Sequence, residues 1–180
     1  EAEKEMSWLT LSQLPELFRA CEQYGKENLT MIVKVCLATG ARWGEAERLT
    51  RPQLSPYKLT FTKTKGKKNR TVPIPKWLYD ELSERQGRMF KPCYQEFKKM
   101  LKLTNIELTE GQKTHVLRHT FGAHFMMNGG NILVLQKILG HANIRETMKY
   151  AHFAPDHLEQ AVTLNPLSLY VGDNMAAEVA

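Results

Sequence analysis

Arg42, a run of basic residues between positions 63 and 70, His115, Arg118, His141 and Tyr150 occur in that order, and their side chains are of types that handle phosphates and protons. An arginine offers planar, permanently charged donors to the non-bridging oxygens of a phosphate. A histidine can move a proton near neutral pH, a lysine can serve as a general acid, and a tyrosine hydroxyl can attack phosphorus. Each residue also has a plain structural reading, and a tyrosine among apolar neighbours is ordinarily a core residue. Order and local context carry the functional signal.

His115 and Arg118 stand one helical turn apart, so both could reach one phosphate from the same helix face. Arg42 follows a buried helix stopped by Gly40 and precedes a helix start, where packing on both sides would hold its guanidinium. His141 comes directly after the helix stop Leu139-Gly140, and Tyr150 ends the following helical stretch. His119, adjacent to Arg118, points elsewhere and reads as structural. Lys63, Lys65, Lys67, Lys68 and Arg70 all fall between positions 63 and 70, flanked by strand-like sequence. They form the densest positive cluster in the chain, as a DNA-contacting hairpin tip or a solvated turn would.

These residues need elements to position them, and the hydrophobic pattern supplies mostly helices. Thr10 with Gln13 opens a helix carrying Leu14, Leu17, Phe18 and Cys21 at helical spacing, through Tyr24. Leu29 to Thr39 is a nearly unbroken apolar helix ended by Gly40, and a short helix runs from Ala41 to Leu49. Tyr57 to Thr62 and Arg70 to Ile74 read as two strands around the Gly66 turn. Helices follow from Pro75 and Pro92, over Lys113 to Asn128, from a cap at Asn131 to Leu139, and from a cap at Asn143 through Tyr150. A last short helix is expected beyond Pro155 to about Val162, and the residues from Asn165, with Pro166 and Gly172, read as a tail.

The 180 residues, 42% hydrophobic and 24% charged, suit one globular unit. No apolar run approaches the roughly 20 residues that cross a bilayer, which argues against a membrane protein. Three cysteines, Cys21, Cys36 and Cys93, are too dispersed for a zinc knuckle or disulfide framework and fit a reducing compartment as buried fillers. The formal net charge of +6 matches a domain that rests on phosphates.

The segments ATGARWGEAERL, FTKTKGKKNRTVPI, THVLRHTFGAHF and LGHANIRETMKYAH together resemble the tyrosine recombinases. The catalytic pattern of that family is Arg, a hairpin Lys, His-x-x-Arg, His or Trp, then Tyr. The resemblance runs from about Leu9 to Phe153 and is nearest to integrases of temperate phages, which also share FMMNGGNILVLQKILGH. It implies an α+β, mainly helical fold with a small antiparallel hairpin sheet. It implies site-specific DNA cleavage and rejoining through a 3′-phosphotyrosine on Tyr150, with Arg42 and Arg118 clamping the phosphate. His141 would be a further donor, Lys65 the acid for the leaving 5′ oxygen, His115 an aid to proton transfer at the tyrosine, and Glu45 an orienting carboxylate. Lys63, Lys67, Lys68 and Arg70 would bind DNA.

No metal or other cofactor is implied. The implied partners are double-stranded attachment-site DNA, further protomers engaged through the C-terminal tail, and accessory DNA-bending factors, in the host cytoplasm. The expected division is a catalytic domain over residues 1–164 and a tail over 165–180, with the N-terminal DNA-binding domain of the family absent.

Two rivals fit less. A non-catalytic helix-turn-helix module would account for the charge and for the segment from Asn131 to Tyr150, but not for the ordered set of Arg42, hairpin lysine and His115-x-x-Arg118. A zinc hydrolase could use His115 and His119, yet Val116 follows His115 where such sites carry a glutamate.

Overall fold

The computed structural model describes residues 6–24, 27–62, 69–109, 111–113 and 115–178. Lys63, Lys65, Lys67 and Lys68 lie outside the described residues.

Helix α1, Leu14–Gln23, enters through a 3-10 turn at Leu11–Gln13, where the Gln13 side chain accepts the Thr10 N–H at 2.9 Å. Helix α2, Glu27–Thr39, buries Leu29, Ile32, Val33, Val35 and Cys36 and stops at Gly40, whose φ of +68° is the left-handed conformation a helix terminus favours. Helix α3, Trp43–Glu47, follows at once. The sheet is antiparallel in the order β1 (Leu54–Ser55), β2 (Lys58–Phe61), β3 (Arg70–Pro73), with Leu59 opposite Val72 and Phe61 opposite Arg70. The hairpin expected from the sequence is β2 and β3. Strand β1 is an addition of two residues, too short to produce a legible alternation.

Helices α4 (Lys76–Ser83) and α5 (Tyr94–Leu101) complete one side of the main core, which gathers α1, α2, α3, the sheet and the start of α6. Helix α6, Val116–Met127, packs on α2. Helix α7, Ile132–Leu139, is capped by the Asn131 side chain, which accepts the N–H groups of Leu133 and Val134, and ends at left-handed Gly140. Met126, Leu135, Leu139 and Tyr150 form a second, smaller core with Phe121, Phe125 and Phe153 around them. Cys21, Cys36 and Cys93 are free and buried, and burial pushes all three thiols above their ordinary pKa, so they act as apolar filling.

Two expectations are corrected beyond this point. The helix expected from Asn143 through Tyr150 is only α8, Arg145–Met148, so Tyr150 lies in the bend between α8 and a 3-10 turn at Ala151–Phe153. The segment read as a tail from Asn165 is helical, α10 spanning Pro166–Glu178; the short helix expected beyond Pro155 is α9, Gln160–Leu164. Asn165 accepts the Ser168 N–H at 2.9 Å and Pro166 occupies the first helical position, where its missing N–H costs nothing. Leu158, Val162, Leu164, Leu167, Leu169 and Tyr170 are all exposed along this stretch. No helix among the described residues is long and apolar enough to cross a membrane.

Candidate active site

Arg118 is only 4% exposed, on the face of α6 turned toward two helix ends. It donates to the Gly40 carbonyl at 2.8 Å and to the Leu139 carbonyl at 2.7 Å. These carbonyls end α2 and α7, where the helix dipoles concentrate partial negative charge. The guanidinium is thus fixed by dipoles, with no carboxylate among the partners named. Burial, then Arg42 and Arg70, bring its pKa down to about 10. Gly40 allows the junction to close: a Cβ there would lie 2.6 Å from Leu139 Cδ2 and 2.7 Å from Phe121 Cδ1.

The same Arg118 group lies 3.1 Å from His141 Nε2. A guanidinium can only donate, so Nε2 accepts and the ring proton sits on Nδ1, donated to Thr147 Oγ1 at 2.8 Å. Thr147, on α8, therefore sets the tautomer of His141, a link the sequence reading lacks.

Arg42 occupies the N-terminal cap of α3, its side chain 40% exposed. The Glu45 carboxylate accepts the Arg42 N–H at 2.9 Å, lies 3.5 Å from the Arg42 guanidinium, and takes both Arg70 amines at 2.9 and 2.7 Å. Burial alone would raise the Glu45 carboxyl; the hydrogen bonds and charge of Arg70, with the Arg42 N–H and charge, hold it at about 2. Arg70 is thus the main partner of Glu45, the residue for which an orienting role is expected from the sequence. Arg70 itself, expected among the DNA-binding residues, is turned inward. It is buried over the Phe61 ring, paired with Glu45, and bonded to the Ile138 carbonyl at 2.9 Å, because its β3 register directs it at α3 and α7.

Tyr150 is fully buried, and its ring lies against Gly122 of α6, where a Cβ would meet ring carbons at 2.6 to 2.8 Å. Its hydroxyl is 2.8 Å from His119 Nδ1. His119, assigned a structural role from sequence, thus meets the candidate nucleophile. His115, assigned to the tyrosine's proton, is exposed at the cap of α6 with its ring centre 5.8 Å from that of His119. Burial raises the Tyr150 phenol to about 12 against the opposing influence of Arg118 and Arg42.

Lys149, also absent from the sequence-derived set, lies over the Tyr150 ring at 5.3 Å. Burial first, then Arg118 and Arg42, lower its pKa while Glu146 opposes them; burial followed by Arg42, Lys149 and Arg118 lowers that of His115. Cations that depress one another mark a place where positive charge is in excess and an anion would be stabilising. No group of three potential metal ligands occurs among the described residues.

The sequence matches the family model described as the phage integrase family over residues 7–157. It is 60% identical over 166 residues to the integrase of Escherichia phage 186, covering 92% of this chain and 49% of that protein. The fold superposes on the catalytic domain of bacteriophage HP1 integrase with a TM-score of 0.87 and 56% identity, covering 91% of this chain and 98% of that domain. The XerH site-specific recombinase, solved with its difH substrate in a pre-cleavage complex, shares the fold at a TM-score of 0.69 and 20% identity, over 91% of this chain and 55% of that one. The chain spans about half the length of the phage integrases it matches. On the family match and the identity to these integrases, the chain belongs to the phage integrase family.

Proposed function

We propose that residues 1–164 form the strand-cleaving and rejoining domain of a site-specific DNA recombinase, and that 165–180 belong to an appended assembly segment. The observation that carries this reading is the convergence of cations on the buried Tyr150: Arg118 lies 3.1 Å from His141 Nε2, and the charges of Arg118 and Arg42 both act on the Tyr150 phenol.

In the reaction Tyr150 Oη attacks the scissile phosphorus in line, a 3′-phosphotyrosine forms, and the 5′ oxygen leaves. The bond energy is retained for rejoining, so no nucleotide is consumed. Arg42 and Arg118 hold the non-bridging oxygens as charge develops there, and His141 joins them as a donor once phosphate binding protonates Nε2, which accepts from Arg118 in the free protein. Glu45 and Thr147 are positioning residues for Arg42 and His141. Lys65 is assigned as the acid for the 5′ oxygen, and Lys63, Lys67 and Lys68 as phosphate contacts beside it; Arg70 supports Glu45 instead.

Duplex DNA carrying an attachment site is the proposed substrate, with accessory DNA-bending factors joining the full assembly. The exposed apolar side chains of α9 and α10 support docking on another protomer, since a row of this kind left in water is a typical association surface. The host cytoplasm, where such DNA lies, is the proposed site of action.

The test is to incubate wild-type and Tyr150→Phe protein with a nicked suicide duplex bearing the attachment site, in EDTA, and to resolve covalent adducts on denaturing gels. An adduct with wild type alone supports the assignment. An adduct with Tyr150→Phe overturns it, and stable DNA binding with Tyr150 dispensable favours the helix-turn-helix reading.

A further inference from the structure

The His119–Tyr150 contact lies outside the set of residues to which the family resemblance gives a role, yet it is the bond made by the reacting oxygen itself. Resting on Tyr150 as nucleophile, we propose that His119 is the catalytic base of this enzyme, accepting the phenolic proton at Nδ1 as Tyr150 Oη attacks phosphorus.

The geometry of α6 makes this assignment. His119 follows Arg118 by about 100° around the helix, so one residue serves the phosphate clamp and the next serves the nucleophile. Gly122 lies one turn beyond His119 on the same face and leaves a flat bed for the Tyr150 ring, which sets the hydroxyl within 2.8 Å of Nδ1. That separation is within reach for direct proton transfer. His115 is exposed, its ring centre 5.8 Å from that of His119, while the His119 ring centre is 5.9 Å from that of Tyr150 and its Nδ1 makes the bond to the hydroxyl.

The surroundings explain how such a base is kept ready. His119 is buried, and that burial, followed by Lys149, His115, Arg118 and His141, lowers its pKa to about 3. The ring is neutral, with one nitrogen bearing a lone pair. Among the described residues, Arg42 also acts on this corner, through Tyr150 and His115. These charges oppose an imidazolium in the free protein, and the arriving phosphate supplies the negative charge that offsets them.

In the step, the Oη–P bond forms and the P–O5′ bond breaks. The phenolic proton passes to His119, and the 5′ oxygen collects its proton from the general acid. Rejoining reverses each transfer, with the 5′-hydroxyl attacking and Tyr150 recovering its proton from His119. No electron is gained or lost.

His119→Asn keeps a hydrogen-bonding group near Nδ1 but cannot take up a proton. Single-turnover adduct formation is measured on a nicked suicide duplex selected by the protein from random-sequence DNA. A second duplex carries sulfur at the 5′ bridging position, a leaving group that needs no acid. The expected result is a loss of about 10²–10⁴-fold on both duplexes at neutral pH. The variant's rate should climb about tenfold per pH unit as hydroxide replaces the base, while wild type stays flat. A rate within about threefold of wild type, a defect that disappears on the sulfur duplex, or an unchanged pH profile would each overturn the proposal. If wild type forms no adduct that Tyr150→Phe lacks, the nucleophile assignment falls first and His119 with it.

A measurement without DNA stands even if the variant fails to fold. Nitrogen-15 NMR of the wild-type histidines should show His119 Nδ1 as the unprotonated nitrogen, and a protonated Nδ1 in the free protein refutes its role as acceptor.

Discussion

A methyl group added at Gly122 would sit 2.6 Å from Tyr150 Cε1 and 2.8 Å from both Cδ1 and Cζ. Carbon atoms rest at about 3.5–4.0 Å, so in Gly122→Ala the ring must retreat by about 1 Å. Alanine in a helix interior gains about 1 kcal/mol over glycine, whereas forcing extra volume into a packed site costs about 1–3 kcal/mol. The net cost is about 0–2 kcal/mol, and the melting temperature should fall by no more than about 8 °C, at about 2–4 °C per kcal/mol for a chain of this size. Catalysis has no such compensation. A nucleophile misplaced by about 1 Å loses on the order of 10²-fold in rate, so adduct formation should drop about 100-fold in protein that remains folded. Thermal denaturation and single-turnover adduct assays on the same preparation separate the two effects. Removing the ring with Tyr150→Ala should turn Gly122→Ala into a stabilising change of about 1 kcal/mol, the signature of a direct clash. If Gly122→Ala raises the melting temperature in the wild-type background and cleaves within about threefold of wild type, the contact does not set the position of the nucleophile and the reasoning is wrong.

Glu45→Gln leaves the Arg70 charge buried without its counter-ion, and equilibrium denaturation should show a loss of about 3–5 kcal/mol at neutral pH. Because the Glu45 carboxyl is held at about 2, below its ordinary 4.5, the unfolded chain takes up that proton first. The stabilisation is therefore complete above about pH 4.5 and is lost as the pH falls toward about 2; acid titration of Glu45→Gln should lack this component. Thr147→Val strips the acceptor from His141 Nδ1 and should cost about 1–3 kcal/mol in denaturation and slow adduct formation on duplex DNA, with Thr147→Ser restoring both. Truncation after residue 157 removes mostly exposed side chains, so the melting temperature should stay within about 2 °C while sedimentation on attachment-site DNA shows weaker self-association. A large drop in melting temperature would place α9 and α10 in the core of the same protomer instead.

The helix limits that were legible in the sequence are those marked by local chemistry: the Thr10–Gln13 pair, left-handed Gly40, and the Asn131 cap with Gly140 at the far end of α7. Such signals act within a turn and need no knowledge of the rest of the chain. What lay hidden depends on distant packing. His119 faces Tyr150 only because α8 and the bend after it bring residue 150 against α6, which no pattern around His119 reports. Arg70 belongs by sequence to a basic run, yet its register opposite Phe61 and the nearby Glu45 turn it inward. Pro166 and Gly172 suggested irregular chain; Pro166 instead begins a helix, since proline obstructs only the interior. Lys149 escaped notice because its neighbours Arg118 and Tyr150 come together only in three dimensions.

The anchorage of Arg118 joins the carbonyl of Gly40 to that of Leu139, with the guanidinium itself contributed from between them in sequence. Three separate stretches of chain must be in register before that arginine has an address. A nascent or partly unfolded molecule would hold every catalytic side chain and still lack the means to grip a phosphate. On the proposed function, strand cleavage would thereby wait on completion of folding.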